Sequence, residues 1–122
     1  MTPAQHETLA AGRWQAFSLV EQLANVGSEV ERALNWLDKH NPEYSRLAFL
    51  RALELLNLTI ADPRHRHRLK ELTRLREALL DFFLGDNAFS STGKSWYSYF
   101  YGFAYAAALR KSQKPRSNQP VG

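Results

Sequence analysis

The chain has 122 residues, no cysteine, 44% apolar residues and a formal charge of +4. Its length suits one domain with an adequate core, its composition is not that of a disordered chain, and the lack of cysteine excludes disulfide staples, thiolate-bound zinc and thiol catalysis. The charge is uneven: residues 1–62 hold five Lys/Arg against eight Asp/Glu, net −3, and residues 63–122 hold eleven against four, net +7. Such halves attract each other within a fold or between copies, and the basic half attracts polyanions.

Apolar residues recur at helical spacing in four long segments, with no strand-type alternation. The N-terminal stretch MTPAQHETLAAGRW lacks the basic start and apolar run of a signal peptide. Thr2-Pro3 reads as a cap and first turn of a short extra N-terminal helix. The first long segment runs from about Arg13 to His40, with Trp14, Phe17, Val20, Leu23, Gly27, Val30, Leu34 and Leu37 on one face. Asn41-Pro42 stops it, since Asn tolerates a left-handed cap and Pro cannot continue the helix. The second segment, about Glu43 to Ala61, has Phe49, Leu53, Leu56 and Ile60 as its main row. Leu47, Leu50, Leu55 and Leu58 widen that row, so this helix is expected to be the most buried.

In the third segment Asp62 caps, Pro63 takes the first helical position, and Leu69, Leu72, Leu75, Leu79 and Phe83 face inward until Gly85. The fourth begins among Ser90 to Thr92 and runs to about Lys111. Short loops between long amphipathic helices favour antiparallel neighbours. The expected fold is therefore all-α: a single-domain antiparallel, up-down four-helix bundle over residues 1–111, followed by a flexible, disordered basic tail at 112–122. The most apolar run, Trp96 to Leu109, falls short of the roughly 20 residues that a membrane span needs, and a cytoplasmic location is expected.

Residues 88–95 read AFSSTGKS, a loose phosphate-loop pattern. The pattern acquires meaning only between a strand and a helix, and the preceding ALLDFFLG continues a helical row. A single Gly also leaves the loop little freedom to wrap phosphates. What remains is anion or nucleotide binding by the start of the fourth helix at Gly93-Lys94-Ser95.

Pro63 to Arg76 is the most basic stretch. Arg66, Lys70 and Arg74 share a face if the segment is α-helical, and basic residues at a helix start oppose its dipole. Solvation or internal acids are the ordinary compensation. A bound polyanion is the sharper one, with Arg64, Arg66, Arg68, Lys70 and Arg74 as candidate contacts. Arg76 falls on the apolar side and calls for a carboxylate, with Glu54 a candidate. His65 and His67 diverge by about 160° on a helix among cations, which argues against metal.

The fourth segment is apolar on two sides. Trp96, Phe100, Phe103 and Ala107 form a core row, while Tyr97, Tyr101 and Tyr105 form a second. Tyr99, Gly102 and Ala106 lie on the other flank, where a neighbouring helix can approach closely. Tyrosine brings contact area and a hydroxyl at low entropic cost. No row brings together the titratable groups that catalysis needs. The leading expectation is a non-enzymatic interaction module, without cofactor or metal, acting through homo-oligomerisation or a protein partner on Tyr97, Tyr101 and Tyr105. The alternative is an RNA- or DNA-binding helical bundle.

Overall fold

A computed structural model describes residues 12–113; the expected Thr2-Pro3 turn and residues 114–122 of the expected tail lie outside these residues, while Ser112 and Gln113 belong to the last helix. The described residues contain helices and turns and no strand. The elements are α1 (Leu19–Asp38), α2 (Pro42–Ala61), a 3-10 helix (Pro63–Arg68), α3 (Leu69–Leu84) and α4 (Gly93–Gln113). The helix α1 lies between α2 and α4 and packs closely on both, and α3 packs on α2.

The first segment is not one helix from Arg13. Helical residues 12–14 give way to a turn, and α1 restarts at Leu19. Ser18 and Glu21 explain the restart by a capping box. The Glu21 amide donates to Ser18 Oγ at 3.2 Å, and the Ser18 amide donates to Glu21 Oε1 at 3.0 Å. At the far end His40, not Asn41, takes the left-handed conformation, with φ 58°. Its amide and that of Asn41 donate back to Leu37 and Trp36, closing the helix. Asn41 instead caps α2 through the Tyr44 amide, ahead of Pro42.

The row of Phe49, Leu53, Leu56 and Ile60 does face the core, with Phe49 and Leu56 buried and Leu53 and Ile60 partly so, but small residues share the buried face. Ser45, Ala48, Ala52 and Thr59 are buried together with Phe49 and Leu56, and these small residues let α1 come close. Leu47, counted as part of a wide apolar face, is 59% exposed; α2 is thus half solvated.

The largest departure is at Asp62. Its Oδ1 accepts from the Arg64 amide at 3.0 Å, an Asx-type turn that tightens the chain into 3-10 geometry. Residue His65 sits at φ −105°, ψ 18°, outside the α basin. The α-helix resumes only at Leu69, which is exposed at its first position. Arg64 through Arg68 therefore do not share an α-helical face with Lys70 and Arg74.

Aromatic rings close the remaining side of the core. Phe49 of α2 stacks on Phe83 of α3 at 4.7 Å. Phe82 meets Phe83 edge-on, and its ring lies 6.4 Å from that of Trp96 on α4. Trp96 stacks on Phe100. Gly27 of α1 lies against Phe100, where an added Cβ would stand 2.7 Å from the Phe100 Cβ. The close helix approach is therefore at Gly27, and not at Gly102, where an added Cβ would meet nothing within 4 Å.

Candidate interaction surface

The core row of α4 turns Trp96 and Phe100 inward. The helical repeat then places Tyr97 at the edge of the core and Tyr101 and Tyr105 outward. Tyr97 is 37% exposed, Tyr101 68% and Tyr105 58%. The Tyr97 hydroxyl donates to Asn35 Oδ1 at 2.6 Å, which ties the row's first member to α1. Partial burial raises the Tyr97 pKa, and Glu31 and Asp38 of α1 raise it further. The rings of Tyr101 and Tyr105 stack 6.3 Å apart at 22°. Tyr99 points to the other flank, within the fields of Arg68 and Glu71.

Beside the tyrosines runs a groove along the α1–α4 seam. Ala24, Gly27 and Ser28 of α1 line it from one side, and Tyr97, Tyr101 and Ala104 of α4 from the other. A second concavity shares Ala24, Ser28 and Ala104 and extends past Ala108 to Phe17, Arg110 and Lys111. The seam is thus lined with small residues, walled by aromatics, and charged towards its ends.

The basic candidates divide into two kinds. Arg64 is half exposed but already bonded: its Nε and one terminal nitrogen donate to Asp62, and the same terminal nitrogen donates to the Phe17 carbonyl at 2.8 Å. Arg68 donates to Glu71 Oε2 at 2.8 Å. Arg66, Lys70 and Arg74 stand exposed. Arg68, Lys70 and Arg74 surround a shallow concavity with His67 and Glu71, so the surface basic to a ligand is smaller than five cations in a row. Arg76 finds an amide and not the carboxylate of Glu54: its Nε donates to Asn57 Oδ1 at 2.8 Å.

Lys94 is exposed at the start of α4, and several neighbouring polar groups bond to one another. The Ser95 amide donates to Thr92 Oγ1, and the Thr92 amide donates to Ser95 Oγ. The Ser95 hydroxyl in turn donates to the Thr92 carbonyl. The Ser91 amide donates to Asn87 Oδ1. A helix, α3, precedes the loop, and Asn87 and Ser90 rather than glycines take positive φ. The elements of a phosphate loop are not assembled.

One polar cluster was not legible in the sequence. Gln22, Asp62 and His65 are all buried. The Gln22 amide donates to the Trp14 carbonyl at 2.9 Å, and its oxygen lies 3.0 Å from His65 Nε2. Asp62 Oδ2 lies 3.4 Å from both. Two acceptors facing Nε2 require that nitrogen to carry the proton. The Trp14 indole donates to Thr59 Oγ1 at 2.9 Å. Arg64 hydrogen bonding, with lesser help from Gln22 and His65, holds the Asp62 carboxyl far below its ordinary range. Burial lowers the His65 pKa, and the Asp62 charge opposes that only in part. This cluster clasps the turn at residues 14–17 to the end of α2. A polar Gln22 on the row of Val26 and Ala33 is the signal that marks it.

Among the described residues no three His, Asp or Glu converge as a metal site. No helix among them is long and apolar enough to cross a membrane. Compared with known proteins, the chain matches no family model, no curated protein and no solved structure.

Proposed function

We propose that the four long helices form an up-down antiparallel bundle and that this bundle is a non-enzymatic association module whose binding face is the Tyr97, Tyr101 and Tyr105 row. One observation carries the reading. Two stacked tyrosines, more than half exposed, stand on a helix whose opposite row already fills the core. A helix apolar on two faces needs two partner surfaces, and α1 supplies only one. Tyrosines beside a groove of small residues have the composition of an interface centre, where aromatic anchors dominate the energy.

A photo-crosslinking residue at position 101 tests this in the cell. The expected result is a discrete covalent adduct, lost when Tyr97 and Tyr105 are also changed to Ala. The same probe at position 66 is expected to give none. Adducts at 66 and none at 101 would overturn the reading in favour of the rival, a polyanion held by Arg66, Lys70 and Arg74. Such binding would weaken steeply with salt. The rival is the weaker because Arg64 and Arg68 are committed to Asp62 and Glu71.

A further inference from the structure

Given that the tyrosine face is a binding surface, on which this inference rests, we propose that its occupant is a second copy of this chain, related by a two-fold axis that sets the two α4 helices antiparallel.

Charge selects that arrangement. At the start of α4 the seam is acidic: Glu31 lines it beside Tyr97, and Asp38 lies near enough to act on the Tyr97 hydroxyl. At the end of α4 it is basic, with Arg110 and Lys111 both exposed. Among the described residues Lys94 opposes the acidic end, and Glu21, which is engaged in the Ser18 capping box, opposes the basic end; Lys39, beside Asp38, holds its Nζ 5.1 Å from the ring of Trp36, which packs on Tyr44 of α2. Each end therefore keeps its sign. The contacts of α1 with α4 fix this order, since Asn35 meets Tyr97, Gly27 meets Phe100, and Phe17 shares a groove with Lys111. Reversal about a two-fold lays acidic end on basic end at both ends of the interface. A parallel pairing would set like on like. An isologous contact needs this self-complementarity, and opposed potentials also fix register.

Spacing supplies the apolar match. Tyr97, Tyr101, Tyr105 and Leu109 follow one another by four, and Leu109 is 42% exposed. Antiparallel reversal sets Tyr97 against the partner's Leu109 and Tyr101 against the partner's Tyr105. The four side chains supply roughly half of the ~800 Å² per partner that a standard interface covers. The seam walls supply the rest, which makes association concentration-dependent.

Light scattering on the full chain tests the arrangement. The wild-type mass is expected to rise with concentration towards twice 14.0 kDa. Glu31→Lys with Asp38→Lys makes both ends basic, and Arg110→Glu with Lys111→Glu makes both acidic. Each variant is expected to need at least tenfold more protein to dimerise, and an equimolar mixture is expected to recover the dimer. If both variants dimerise like wild type, or the mixture fails to recover, the two-fold arrangement is overturned. Loss of the wild-type dimer in Tyr101→Ala/Tyr105→Ala would then still uphold the tyrosine face. A wild-type chain that stays at 14.0 kDa throughout overturns the second copy as occupant, while the adduct at position 101 decides the binding face separately.

Discussion

The clasp around Asp62 and the tyrosine face of α4 use similar side chains to opposite ends. In the clasp the polar groups of Trp14, Gln22, Thr59, Asp62 and His65 are matched to one another and withdrawn from water. On α4 the Tyr101 and Tyr105 rings are turned out of the core. Buried polar groups are costly unless fully paired, so the clasp spends its hydrogen bonds on fixing where the first turn sits. An exposed stacked pair spends little on the monomer and leaves its area for a partner. Under the proposed function the clasp supplies stability and the tyrosine face supplies association, and each can be altered alone.

The largest expected effect is at the clasp. Asp62→Ala removes the carboxylate partner of Arg64 and one of the two acceptors facing His65 Nε2 and is expected to cost about 2–4 kcal/mol in urea unfolding. A loss below about 0.5 kcal/mol, the size of an ordinary surface change, would mean that the clasp does not carry stability. Next come the two glycines. Gly27→Ala drives a Cβ into Phe100 and is expected to cost about 1–3 kcal/mol of overpacking, offset by up to about 1 kcal/mol of helix propensity. Gly102→Ala meets open space and is expected to stabilise the monomer by up to about 1 kcal/mol. Equal effects at the two positions would contradict the contrast between them.

The pH dependence follows from signs. The His65 pKa is lowered from 6.5 by burial, so the unfolded chain binds the proton more readily, and stability falls as pH drops below about 6.5. The Asp62 pKa is lowered from 3.8, chiefly by Arg64. Its contribution is complete above about pH 4 and is lost as pH falls further. Two acid steps are expected in the stability profile, the first absent in His65→Gln. A profile flat from pH 7 to 5 would refute the buried neutral imidazole. The smallest effect is at the face itself: Tyr101→Ala/Tyr105→Ala is expected to change monomer stability by no more than about 0.5 kcal/mol.

The helices were largely legible because each is marked locally. The break at Asn41-Pro42 and the stop at Gly85 are such marks, although Asn41 caps α2 rather than ending α1 and Pro63 opens the 3-10 helix rather than α3. The two rows of α4 were legible as well, since spacing alone separates Trp96 and Phe100 from the tyrosines. The face of α2 was legible in its main row, Phe49, Leu53, Leu56 and Ile60, but not in its width. Counting leucines adds Leu47 and Leu50, which are exposed, and passes over the small residues Ala48 and Ala52 that the close neighbour selects. The clasp was invisible for a different reason. Gln22 lies 40 residues from Asp62 and 43 from His65, and all three are polar, so each alone reads as surface. The Asp62 turn that breaks the basic segment into 3-10 geometry was hidden behind an N-cap pattern that serves equally well for an α-helix.

The most direct test of the central claim is the mass of the wild-type chain beside Tyr101→Ala/Tyr105→Ala, measured by light scattering over a hundredfold range of concentration. The account predicts a wild-type mass that climbs from 14.0 kDa towards twice that value and a variant that stays at 14.0 kDa with unchanged helicity. Two chains that assemble alike would contradict it and place the contact elsewhere.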